Sequence, residues 1–127
     1  MRDYQRQKNN PYLLPKTLYR RVLAVIRDYD RQKDEIDDIL FGTGEHDSSG
    51  GGRVGKPVEG AAIRLLQYSG DVEAVEKALD VIPEEYRRAV LDNIRYGNYF
   101  PDNAAYRTWL RYRQRFIYEV AKRLNLV

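Results

Sequence analysis

The stretch DNAAYRTWLRYRQRFIYEVAKRLN, residues 102–125, decides the fold. Trp109, Tyr112, Phe116, Val120 and Leu124 recur three and four residues apart within it, which is the spacing of one helical face. Asp102 or Asn103 offers a side-chain oxygen for the first turn, so the pattern predicts a helix from there to about Asn125. Toward the N-terminus, Asn98 to Pro101 reads as a short turn, and Gly97 as the stop of a preceding helix. That helix opens at Pro83, whose fixed φ suits a first helical position, with Glu84 and Glu85 at the positive end of the dipole. Tyr86, Val90, Leu91 and Ile94 are its expected buried side.

Further out, two longer amphipathic runs are expected. Leu18, Val22, Val25, Tyr29, Ile36 and Ile39 hold helical phase from Lys16 to about residue 41, and Gln32 alone breaks the stripe. Val58, Ala62, Leu65, Val72, Val75, Leu79 and Ile82 stay in heptad phase after Pro57, which favours one helix across Ser69-Gly70 over a break there. Each run is about 26 residues, or ~39 Å at 1.5 Å per residue. Between them, residues 42–56 hold six glycines and two serines, too much backbone entropy for a regular element. Residues 1–15 carry Pro11 and Pro15 and read as a polar N-terminal arm. No segment alternates with period two. The expected fold is all-α: an arm (1–15), a long antiparallel helical hairpin (16–82) with a glycine-rich loop (42–56), and a C-terminal helix-turn-helix-like pair (83–127). The hairpin seam leaves a homodimer interface open.

Composition fits such a domain. The chain has 127 residues, 43% apolar and 32% charged, and no cysteine, which sets aside disordered, collagenous and disulfide-framed classes. The longest aliphatic run, Val22 to Ile26, falls far short of the roughly 20 residues a membrane span needs. Met1 to Arg6 lacks the apolar stretch of a secretory signal, so a cytoplasmic address is the default expectation. The net charge of +3 is unevenly spread: residues 98–127 carry 6 basic and 2 acidic groups, a basic end on a near-neutral body. Such asymmetry steers a chain toward polyanions.

With the aromatic stripe of the last helix turned inward, Arg107, Arg111, Gln114, Arg115 and Tyr118 share its outward side. Arginines and a glutamine in the first turns of a helix that follows a glycine turn have the layout of a DNA recognition helix: arginine suits guanine O6 and N7, and Gln114 suits adenine. The competing reading is a solvated helix whose arginine stems cover the core.

Ile82-Pro83-Glu84-Glu85-Tyr86-Arg87-Arg88, Asn93-Ile94-Arg95-Tyr96-Gly97 and Thr108 to Ala121 resemble small prophage proteins of the RinA/ArpU type. Residues 57–127 carry most of the likeness, and the stretch from Leu18-Tyr19-Arg20-Arg21-Val22 through Tyr29-Asp30 carries a looser part. The resemblance implies a phage or prophage transcriptional regulator with a helix-turn-helix similar to sigma-factor region 4. It implies double-stranded DNA as partner, Tyr106, Arg107, Thr108, Arg111, Gln114 and Arg115 as DNA-binding residues, and Lys122 and Arg123 near the backbone. One departure stands out: the family has a separate short helix before the recognition helix, and here only residues 98–103 are available for it.

Other constellations point nowhere. Gly50, Gly52 and Gly55 match G-x-G-x-x-G, and Gly50 to Lys56 matches G-x-x-x-x-G-K, but no strand precedes them and Pro57 stands where a phosphate loop needs Ser or Thr. Glu45-His46-Asp47 holds the sole histidine in a glycine-rich loop without a second ligand set. Asp34, Glu35, Asp37 and Asp38 crowd a helix end where the dipole disfavours acid; they read as a solvated end, or as a contact for a basic partner such as RNA polymerase. The eleven tyrosines read as edge-of-core residues rather than base-stacking platforms. With no cysteine and no base placed beside Ser48, Ser49 or Ser69, a non-enzyme without cofactor or metal is expected. The alternative to DNA binding is a helical assembly or adaptor protein, comparable to a small packaging subunit, whose hairpin makes oligomers.

Overall fold

The computed structural model describes Gln5, residues 10–41, Leu66 and residues 69–127. Among these residues the chain is all-helical, without strands. Its helices are α1 (Lys16–Arg27), α2 (Tyr29–Phe41), α3 (described over 69–78), a 3-10 turn (Leu79–Val81), α4 (Glu84–Tyr96) and α5 (Tyr106–Arg123).

The run expected as one long first helix is divided at Asp28, whose backbone (φ −89°, ψ 1°) closes α1. The Asp28 carboxylate stands at the positive end of α2 and accepts from Arg31 Nε (2.7 Å) and Nη2 (2.6 Å) and from Gln32 Nε2 (3.0 Å). Those bonds to the arginine hold its pKa below the ordinary carboxylate value, against the opposing effect of burial. The division lets each helix bury its own face. α1 buries Tyr19, Val22, Leu23 and Ile26, a stripe rotated from the expected Leu18, Val22 and Val25, of which Leu18 and Val25 are half-buried edges.

α2 turns instead toward α3. Tyr29 Oη donates to Glu76 (2.6 Å), Lys33 Nζ donates to the same carboxylate (3.0 Å), and Gln32 Nε2 reaches Asp71 (3.4 Å). The donors lower the Glu76 pKa, with Tyr29 the largest cause; burial and the facing carboxylate raise that of Tyr29. Gln32, the break in the expected stripe, is nonetheless buried (6% exposed), and its Oε1 has no hydrogen-bond partner among the described residues. Ser69 and Gly70 are both helical. The remainder of the expected return arm, the glycine-rich loop 42–56, both glycine motifs and Glu45-His46-Asp47 lie outside the described residues.

The core gathers Leu14, the buried face of α1, Val75, Ala78 and Ile82, then Val90, Leu91 and Ile94 of α4 and Trp109, Phe116, Ile117, Val120 and Ala121 of α5. Each fully buried large side chain contributes about 1.5–3 kcal/mol. Residues 1–15, expected as an arm, are docked where they are described: Leu14 is buried, and the Gln5 amide accepts from Leu14 N (2.8 Å) and donates to Leu14 O (2.7 Å). α4 follows expectation closely. Pro83 precedes it, Glu84 and Glu85 fill its first turn, and Gly97 ends it in the left-handed region at φ 74°.

Candidate nucleic-acid interface

α5 buries Trp109, Arg113, Phe116, Ile117, Val120 and Ala121 against α1, α4 and the 3-10 turn. Burying that face forces the opposite one outward. Arg107, Arg111 and Arg115 occupy it, all exposed; at 3.6 residues per turn they drift only about 40° per step and span roughly 12 Å. Among the described residues none of the three pairs with a carboxylate. The Arg111 guanidinium lies over the Tyr112 ring at 5.7 Å. Two of the other three basic groups in this quarter are engaged: Arg113 is buried, and Arg123 Nε donates to Glu119 at 3.1 Å. Lys122 is exposed, without an ion pair among the described residues, and falls in helical projection between Arg111 and Arg115.

The remaining expected site residues are placed less uniformly. Gln114 and Thr108 are half-buried and flank the arginine row, one on each side. Tyr106 is exposed but leaves the row, its ring against Phe100 at 5.8 Å. Tyr118, expected as an outward donor, is half-buried because Tyr12 of the N-terminal segment packs on it at 5.6 Å. The continuous cationic row therefore ends at Arg115. Beyond the aromatic pair stands Lys122, beside a polar cleft of about 360 Å³ between α3 and the end of α5.

Arg113 is the group that sequence reasoning passed over. It is 4% exposed, yet its partners are neutral: Nε donates to Asn93 Oδ1 (2.9 Å) and Nη1 to Tyr19 Oη (2.9 Å). Asn93 Nδ2 in turn donates to Asn98 O (2.7 Å). This chain ties α5 to α1, α4 and the connection after α4, fixing the rotation of α5 and with it the direction of the arginine row. A signal was available: Trp109 and Ile117 lie four residues to either side of Arg113, on the face that turns inward.

The expected cap of α5 is corrected. The helix opens at Tyr106 with Ala105 at the N-cap position and no side-chain cap, so neither Asp102 nor Asn103 serves. Phe100 explains the later start: it stacks on Trp109 (5.2 Å, 8° between planes), and residues 101–105 are consumed in bringing the chain round to the helix. No helix intervenes between Gly97 and Ala105. A helix-turn-helix joins its helices through three or four residues; here the connection is longer and irregular. Comparison with protein-family models, curated proteins and solved structures finds no match for the chain. No helix among the described residues is long and apolar enough to cross a membrane.

Proposed function

We propose that this chain is a duplex-DNA-binding transcriptional regulator of phage or prophage type, a cytoplasmic non-enzyme that lays the exposed face of α5 against DNA. The observation that carries the reading is the row Arg107, Arg111 and Arg115: one turn apart, exposed, and unpaired with carboxylate among the described residues. An α-helix fits the major groove, and arginines on its outer face serve phosphates or guanine edges. Thr108 and Gln114, at the margins of the row, are the remaining polar contacts. RNA polymerase stays in this proposal as the partner of the acidic end of α2, where Asp34, Asp37 and Asp38 are exposed.

A gel shift with duplex DNA from around the encoding operon tests it. The parent chain is expected to retard the duplex, and a folded Arg107, Arg111, Arg115 triple-alanine variant to lose the shift. Retained affinity in that variant rejects the assignment of the face. The irregular connection before α5 favours a second reading, a helical assembly or adaptor protein. Light scattering separates the two, since a large closed ring without DNA affinity belongs to the second alone.

A further inference from the structure

Two stretches of the chain carry cations and no carboxylate: residues 10–27, with Lys16, Arg20, Arg21 and Arg27, and residues 103–118, with Arg107, Arg111, Arg113 and Arg115. Residues 28–102 separate them in sequence, yet the fold sets the two side by side. Tyr12 packs on Tyr118 with 5.6 Å between ring centroids, and Tyr19 Oη accepts from Arg113 Nη1 at 2.9 Å. Lys16 falls between these two contacts on the first stretch, and Arg115 falls between them on the second. Packed helices lie about 8–10 Å apart, so the opening turns of α1 border the end of the arginine row at Arg115. Arg113 is buried, and Arg27 Nε donates to Ile94 O at 2.9 Å. Lys16, Arg20 and Arg21 are exposed, and among the described residues their side chains have neither an ion pair nor a hydrogen-bond partner. Like charges placed side by side repel, and the flanking acids do not relieve them: Asp28 is held by Arg31, Glu119 by Arg123, and Asp102 precedes the opposite end of the row.

We propose that Lys16, Arg20 and Arg21 of α1 form a second set of DNA contacts, which binds backbone phosphates on one wall of the groove that receives α5. This rests on the duplex-binding reading and deepens it: α5 supplies the groove contacts, and α1 holds the strand beside them. Charge and dimension argue for the occupant. Lys16, Arg20 and Arg21 together with the arginine row spread over two neighbouring helices, more charge than one small anion neutralises, and this calls for a repeating polyanion. A duplex presents one phosphate charge per ~1.7 Å of axis and a major groove ~12 Å wide, so a helix packed against the one in the groove reaches its wall. An anionic bilayer fits less well. Helices that lie on bilayers bring an apolar face, whereas α1 and α5 turn theirs into the core.

Fluorescence anisotropy with the full chain and a labelled 20-base-pair duplex, read across a salt series, tests the proposal. The triple variant Lys16→Ala, Arg20→Ala, Arg21→Ala is expected to melt at the parent temperature, because the side chains it shortens are exposed and unpaired. Each phosphate contact contributes about fivefold to affinity near 0.15 M salt through counterion release, so this variant should bind about a hundredfold more weakly. Its affinity should also fall less steeply with salt than the parent's. Arg88→Ala removes the same charge as Arg20→Ala, but from an α4 side chain that pairs with Asp92 at 3.3 Å, and should leave affinity nearly unchanged. An α1 triple variant that binds as tightly as the parent overturns this inference and leaves the arginine row standing. A loss in Arg88→Ala equal to that in Arg20→Ala overturns it as well, since net charge then explains both. A parent chain that binds no duplex, with or without binding to phosphatidylserine vesicles, overturns the duplex reading and this inference together.

Discussion

Asn93 shows how much one side chain carries here. Its amide accepts from a buried guanidinium and donates to the carbonyl of Asn98, so Asn93→Ala leaves both without that partner. Hydrogen bonds to charged groups contribute about 1.5–3 kcal/mol and neutral ones less, so the substitution should cost about 3 kcal/mol in urea denaturation. Gln32 is the opposite case. Its Oε1 is buried with no hydrogen-bond partner among the described residues, and its amide nitrogen donates to Asp28 and Asp71, two carboxylates that are only half-buried and can be solvated instead, so Gln32→Met should be neutral or slightly stabilising by the same measurement. Both residues mark where sequence reading stops. Periodicity located Gln32 on the buried stripe through its neighbours but treated its polarity as an interruption. Arg113 sat between Trp109 and Ile117, yet six basic groups in thirty residues favour an outward reading of each one. What decides their burial is a partner distant in sequence, Asp71 for Gln32 and Tyr19 for Arg113, and no local pattern encodes such a pairing.

Elements were legible in proportion to how local their signals are. α4 begins after Pro83 and ends at Gly97, since a fixed φ and a left-handed residue act without tertiary help. Gly97→Ala places a Cβ at φ 74° and should cost about 1 kcal/mol, read as a lower melting temperature. The start of α5 was misplaced because Phe100 stacking on Trp109 overrides the capping preference of Asp102 and Asn103. The long first helix was divided by Asp28, whose neighbours give no proline or glycine signal. Among the described residues α2 is held to α3 by polar and ionisable contacts, so its attachment should depend on pH. Asp28 and Glu76 both have lowered pKa values in the folded state. Each therefore stabilises the fold above the ordinary carboxylate range and loses that contribution as pH falls through its folded value. Protection of the α2 amides against hydrogen exchange, after correction for the intrinsic rate, should fall in acid, starting below about pH 4, before that of α4 and α5. Glu76→Gln should reduce that acid dependence.

At the scale of the molecule, the helices divide the labour. Three helices bury a shared core, and the fourth member of that core, α5, turns its remaining face to solvent with a row of arginines. The all-α class and the inward stripe of α5 could be read from periodicity alone, because helices repeat their apolar residues locally. The docking of Tyr12 on Tyr118, which shortens the row, could not: it joins positions 106 residues apart in the sequence. The salt dependence of duplex binding, measured for the parent and for the folded triple-alanine variant of Arg107, Arg111 and Arg115, tests the role of the row most directly. Three phosphates neutralised by the row predict that log affinity falls with log salt more steeply in the parent than in the variant, by roughly 2.7 in slope. Equal slopes and equal affinities in the two chains would contradict it.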